Sequence, residues 1–245
     1  FDLKHKKFIL NMKKLTLQQI DQFNENVPSR NLRGGALVKY KKNLVLTQQQ
    51  KEIVIGTLLG DASIRTSKCN YCLKFEQKYT QVDYLTHLYE QFEPFVGTGP
   101  KMRAIHNSFH KDYGVSCWFR TYAHIEFKYY ENRFYQINDQ KQRRKIVPKN
   151  IHQMLTPRAL AYWFMDDGCL NNQQRYLLNT QGFDLSEQKR LIKALKQTFN
   201  LDFNTNKDRD YYRLGLQVHN NDDFYQLIQP YILPTFQYKL QKKAG

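Results

Sequence analysis

Asp61 and Asp167 each close a short apolar run, Ile55-Gly56-Thr57-Leu58-Leu59-Gly60-Asp61-Ala62 and Leu160-Ala161-Tyr162-Trp163-Phe164-Met165-Asp166-Asp167-Gly168. Neither run is long enough to cross a membrane, and each stops at an acidic residue followed by a small one, where a buried helix would end. The sequence thus delivers a carboxylate at each of two helix ends. Either acid alone would be an ordinary solvated helix terminus, but two carboxylates brought together repel unless a cation lies between them. Mg²⁺ suits such a pair, being a hard ion that takes oxygen ligands and keeps several waters. Two or more divalent ions held by carboxylates supply what phosphodiester hydrolysis needs: a polarised phosphate, an activated water and a stabilised leaving oxygen.

The surroundings of the two acids correspond, which points to a duplicated unit. Thr47 with Gln50 predicts a capping-box start for the first helix, and Thr156 before Pro157 an N-cap and first-turn proline for the second. Leu46 and Leu155 precede them. A strand that opens on Tyr and closes on Gln follows each acid, Tyr71 to Gln77 and Tyr176 to Gln181, and a helix follows each strand. Gly56 and Gly60 share a helix face, where the lack of side chains lets a partner helix approach closely and bring Asp61 and Asp167 side by side.

These two motifs resemble those of a single-chain LAGLIDADG homing endonuclease, and residues 155 to 168, Leu-Thr-Pro-Arg-Ala-Leu-Ala-Tyr-Trp-Phe-Met-Asp-Asp-Gly, match most closely. The resemblance covers residues 47 to 240. It implies an α+β fold of two pseudo-symmetric halves, each an antiparallel sheet with packed helices, joined at the two motif helices. It also implies hydrolysis of both strands of a long, pseudo-palindromic DNA duplex across the minor groove, leaving short 3′ overhangs. The family's metal ligands fall on Asp61 and Asp167, with help from the main-chain carbonyls of Gly60 and Asp166. Its catalytic lysines match Lys145, before Ile146-Val147-Pro148, and Lys239, in Phe236-Gln237-Tyr238-Lys239-Leu240. Gln77 and Gln181 resemble the strand residues that order water, with Glu76 and Asn179 as neighbours able to share that role. Two departures stand out: Asp166 replaces a small residue, and Tyr162 replaces the motif's central glycine.

Along the chain, residues 1–46 read as a basic extension, with Lys4, Lys6, Lys7, Lys13 and Lys14, a short helix near Leu15 to Phe23, and a basic loop carrying Arg30, Arg33, Lys39, Lys41 and Lys42 after Pro28 and Gly34-Gly35. The first half is expected over 47–139: a motif helix from about Gln48 to Leu59, a hairpin over Ile64 to Gln77, and a helix with Val82, Leu85, Leu88, Tyr89 and Phe92 on one face. A second hairpin, Lys101 to His106 with Val115 to Tyr122, and a helix carrying Phe127, Tyr130, Phe134 and Ile137 complete it. A basic linker, 140–154, leads to the second half, 155–240, which repeats the order, with Asp184 and Glu187 capping its middle helix. Residues 241–245 form a tail. His106 and His110 on a turn read as polar surface, and Cys69 and Cys72 lack the partners a zinc site needs.

A net charge of +16 and a pI of about 9.6, spread over both halves, are the footprint of a nucleic-acid surface. Strand alternation then offers Arg65, Lys74, Arg103, Arg120, Arg175, Lys207 and Arg213 to bases or phosphates. Two similar but unequal halves in one chain suit a monomer on double-stranded DNA. The abundance of Asn, Lys, Tyr, Phe and Ile, as an AT-rich gene encodes, points to an organelle, mitochondrion or chloroplast, or to a mobile intron. Four scattered cysteines read as reduced thiols in an intracellular protein, and neither export nor membrane insertion is indicated. The rival from another class is a maturase on the same scaffold that binds intron RNA; it has no need of juxtaposed carboxylates at a polyanion surface.

Overall fold

The computed structural model describes residues 15–67, 70–106 and 113–240. Its elements, in order, are α1 (Leu17–Glu25), α2 (Gly34–Lys42), α3 (Gln48–Leu59), β1 (Ser63–Ser67), β2 (Asn70–Lys78), α4 (Val82–Phe92), β3 (Lys101–His106), β4 (Tyr113–Arg120) and α5 (Glu126–Phe134). There follow β5 (Tyr135–Ile137), β6 (Arg143–Lys145), α6 (Pro157–Asp167), β7 (Gly168–Leu170), β8 (Tyr176–Leu178), α7 (Leu185–Phe199), β9 (Phe203–Asp208), β10 (Tyr211–Leu216) and α8 (Asn221–Ile228). Helix, hairpin, helix, hairpin, helix therefore occurs twice. Both four-stranded sheets are antiparallel with the same strand order, β1-β2-β4-β3 and β7-β8-β10-β9. This is the expected α+β architecture.

The chain packs as two compact units, the described residues of Phe1–Val45 with Ser63–Phe127 and those of Leu46–Ala62 with Lys128–Gly245. In the first, Leu73 and Phe75 alternate inward from β2 against Phe92 of α4 and Phe119 of β4, with ring centroids 5.0 to 5.2 Å apart. Helix α1, opened by a Thr16–Gln19 capping box, covers the outer strand of this sheet. Asn24 holds it there, donating to Met102 O at 2.9 Å and accepting from Met102 N–H at 2.8 Å. In the second unit Trp163 and Phe164 of α6 are fully buried, and Phe164 meets Tyr176 and Phe224 edge to face.

Three local expectations are corrected. Residues 34–42, expected as a loop, form α2: Gly34, at φ +54°, begins the helix instead of breaking it. Tyr40 then donates to Pro94 O at 2.9 Å and Lys41 to Ala123 O at 2.8 Å, so two of its polar groups dock the helix on its own unit. Helix α5 stops at Phe134, and Ile137 lies in β5, which pairs with β6 inside the basic linker. The Arg143 guanidinium stacks 3.5 Å from the Tyr135 ring centroid and pairs with Glu131, giving that short ladder side-chain support. Strand β8 spans Tyr176–Leu178, shorter than the Tyr176 to Gln181 expected for it. Lys4, Lys6, Lys7, Lys13, Lys14, Cys69, the turn with His110, and the tail 241–245 lie outside the described residues.

Candidate active site

Both motif helices belong to the second compact unit, and their sequences explain how they start and stop. Thr47 Oγ1 accepts from Gln50 N–H at 3.1 Å while Gln50 Oε1 accepts from Thr47 N–H at 2.9 Å, closing the N-terminus of α3. Thr156 Oγ1 accepts from Ala159 N–H at 3.2 Å ahead of α6, whose first residue is Pro157. The two helices pack against each other where α3 lacks side chains. A Cβ on Gly56 would fall 2.2 Å from Ala159 O and 2.9 Å from Tyr162 Cβ, and one on Gly60 would fall 2.5 Å from Asp166 Cβ and Oδ2. Tyr162, the residue that departs from the motif, is thus seated against the first motif's glycine. Arg158 of α6 donates to Glu52 of α3 at 2.8 Å along the same seam.

The seam brings the two acids into each other's field. Asp61 is exposed and Asp167 half-buried. Burial, reinforced by the charge of Asp61 and opposed by Lys145 and Lys239, pushes the Asp167 carboxyl up to about 7. A buried carboxyl held this far above its ordinary range, with a second carboxylate adding to the shift, marks a place where negative charge is costly unless it is compensated.

Each expected lysine lies at the carbonyl end of one motif helix, where a cation also meets the negative end of the helix dipole. Lys145 Nζ donates to Gly60 O at 2.8 Å and Ala62 O at 2.7 Å. Lys239 Nζ donates to Met165 O at 2.6 Å and Asp166 O at 3.4 Å. The carbonyls of Gly60 and Asp166, expected to help hold a metal, therefore each accept from a lysine. Burial drives both ammonium groups below their ordinary range, and the charges of Asp166, Asp167 and Asp61 oppose that shift. Lys145 owes its position to its neighbours: Arg144 donates to Glu187 Oε2 at 2.9 Å and Val147 N–H to Glu187 Oε1 at 3.2 Å. Glu187 is the buried capping-box residue of α7. Nothing in the sequence pairs Glu187 with the linker, though its capping box is legible.

The glutamines part company. Gln181 Nε2 donates to Asp208 Oδ2 at 2.9 Å. The adjoining strand end reaches Asp167 through its main chain, Asn179 N–H donating to Asp167 O at 2.9 Å. Gln77 belongs to the other compact unit, buried on the same face of β2 as Leu73 and Phe75. Glu76, on the opposite face, accepts from Lys74 at 2.5 Å, Arg103 at 2.6 Å and Ser116 at 2.7 Å.

The expected DNA-contacting residues sort by strand register. In the first sheet Lys74 lies opposite Arg120, Arg65 opposite Cys72 and Arg103 opposite Ser116, so Arg65, Lys74, Arg103 and Arg120 share the outer face. In the second sheet Arg175 crosses Gly215, its Nε donating to Leu216 O at 2.7 Å, and Arg213 lies opposite Asn206 on the same face. Lys207 differs: it lies opposite Tyr212 and alternates with Phe203 and Thr205 onto the other face.

Among the described residues no group of three or more His, Cys, Asp or Glu side chains gathers as a metal cage. The donors present, two carboxylates at the helix ends, fit a hard divalent ion that takes few protein ligands and completes its shell with water and phosphate oxygens. No helix among the described residues is long and apolar enough to cross a membrane.

Known proteins resemble this chain over most of its length. The chain is 30% identical over 209 residues to DNA endonuclease I-ChuI of Chlamydomonas applanata, covering 80% of this chain and 95% of that protein. It is 34% identical over 217 residues to the "Probable intron-encoded endonuclease 1" of Wickerhamomyces canadensis, covering 82% and 88%. Among solved structures, the homing endonuclease I-WcaI bound to its DNA recognition sequence superposes with a TM-score of 0.78 at 28% identity, covering 87% of this chain and 96% of that one. Residues 51–224 match the LAGLIDADG DNA endonuclease family, and the chain belongs to it.

Proposed function

We propose that this protein is a homing endonuclease that hydrolyses both strands of a long, pseudo-palindromic DNA duplex, using Mg²⁺ held by Asp61 and Asp167. The observation that carries the reading is the pairing of these acids across the helix seam, with a lysine at the end of each helix. Bound there, the ion supplies Lewis acidity to the scissile phosphate and to the attacking water. The chain's own residues do the rest. Lys145 and Lys239 are cations kept among helix carbonyls, ready to stabilise charge that develops on a phosphate placed against the helix ends. The outer faces of the sheets, with Arg65, Lys74, Arg103, Arg120, Arg175 and Arg213, bind the duplex, and Gln181 orders water or a neighbouring phosphate. Glu76 fixes Lys74 and Arg103 as a set, so these side chains lose less conformational freedom on binding.

Because one chain carries both acids, a monomer suffices. The resemblance to an intron-encoded relative and the AT-rich codon bias of the composition support an origin in a mobile intron and a place in a mitochondrion or chloroplast. The test is incubation of the full chain with Mg²⁺ and a randomised duplex library, followed by sequencing of cut ends. Paired cuts a few bases apart within one long motif are expected. Specific retention of duplex or RNA with no cleavage of any member would replace this reading with that of a maturase.

A further inference from the structure

The proposed metal site uses only the main-chain carbonyl of Asp166, yet its side chain makes a contact of its own. At the end of α3, Gly60 N–H donates to Gly56 O at 3.2 Å and Ala62 N–H reaches back to Thr57 O at 2.9 Å. Between them, the Asp61 N–H donates across the seam to Asp166 Oδ2 at 3.1 Å. A carboxylate is a stronger acceptor for a main-chain N–H than a neutral group. The space it occupies exists only because Gly60 has no side chain. No reciprocal contact is available, since Gly60 is the first motif's counterpart of Asp166.

Asp166 could instead be read as a third ligand, but no three acidic side chains among the described residues gather to hold one ion. We propose that Asp166 is a positioning residue: its carboxylate closes the end of α3 and fixes the Asp61 main chain, so that the Asp61 carboxylate is held ready to share a divalent ion with Asp167. The inference rests on Asp61 and Asp167 being the metal carboxylates. It departs from the symmetry of the two motifs, because one half positions the other's acid and is not positioned in return.

The test compares Asp166→Ala with Asp166→Asn in the full chain, by amide hydrogen exchange at Asp61 without metal, by Mn²⁺ binding, and by the Mg²⁺ dependence of cleavage. Asp166→Ala is expected to speed exchange at Asp61, weaken Mn²⁺ binding and raise the half-saturating Mg²⁺ concentration, each by about tenfold. Asp166→Asn keeps an oxygen acceptor and should restore all three to within about threefold of the native protein. Gly60→Ala, which displaces Asp166 from the opposite side, should reproduce the alanine effects. Native exchange and native Mg²⁺ dependence in Asp166→Ala would overturn the proposal. So would an asparagine variant as impaired as the alanine one, since that would make the charge itself the requirement. If the alanine variant does not fold, Gly60→Ala decides the matter, and native exchange at Asp61 in that variant would overturn the proposal. Failure of the metal reading looks different: Asp61→Asn would then cut normally, whatever exchange at Asp61 reports.

Discussion

Asp167 and Asp61 are chemically unequal although their motifs correspond. Burial and the Asp61 charge hold the Asp167 proton on to about pH 7, well above its value in an unfolded chain. The raised value contributes stability that is fully present below the unfolded value and is lost as pH rises through about 7. Metal-free protein is therefore expected to melt at a lower temperature at pH 8 than at pH 5.5, with added Mg²⁺ restoring stability mainly at the higher pH. Thermal melts with and without chelator measure this. Cleavage at subsaturating Mg²⁺ should rise through the same range, because the proton must leave before the carboxylate binds. Asp61→Asn and Asp167→Asn should each reduce double-strand cleavage by about 10³-fold or more while specific duplex affinity stays near native, as gel shifts in Ca²⁺ can show. Lys145→Met and Lys239→Met should slow cutting more than they weaken binding; equal losses would mark both as ordinary phosphate contacts.

At the scale of elements, the seam between α3 and α6 sets where the acids stand. Gly56→Ala drives a methyl to 2.2 Å from a main-chain oxygen that cannot move without its helix. It should cost about 1–3 kcal/mol in denaturant unfolding and, by separating the helices, reduce cleavage as well. The capping box of α7 has a comparable reach. Glu187 is 3% exposed and binds the linker on both sides of Lys145, at Arg144 and at Val147. Glu187→Ala leaves the Arg144 guanidinium with Asp184 alone and the Val147 N–H without its acceptor, and should destabilise the fold by about 1–3 kcal/mol. Cleavage should fall further than the unfolded fraction accounts for, because β6 no longer holds Lys145 in place. A variant whose activity loss matched its unfolded fraction would separate the cap from the site.

Across the whole molecule, the duplication and the charge point to the same partner. Two sheets of identical strand order each carry arginines on the outer face, and in the proposed function these are two related but unequal surfaces for a duplex. With roughly six to ten phosphate contacts, affinity should fall by about 10³-fold or more between 50 and 200 mM salt, a slope that fluorescence anisotropy measures. Much of this organisation was legible in the sequence. The bounds of α3, the capping boxes at Thr47 and Asp184, and the alternation along β2 follow from patterns confined to a few neighbouring residues. The docking of α2, the β5–β6 ladder and the strand parity of Lys207 were not legible, since each depends on partners distant in the chain.

What the sequence determined by itself is the inventory: two apolar helices each ending in Asp, glycines on one face of the first, and a surplus of positive charge, with a lysine for each motif implied by the family resemblance. Helix periodicity, capping and charge are local properties, and the chain declares them. Only the tertiary structure decided how the inventory is wired. It set Tyr162 against Gly56, placed Lys145 and Lys239 on the carbonyls of opposite motif helices, and turned Asp166 from an irregular motif residue into the acceptor for the Asp61 N–H. These contacts join residues about a hundred positions apart or tens of positions apart, and their geometry comes from how closely two helices without intervening side chains can approach.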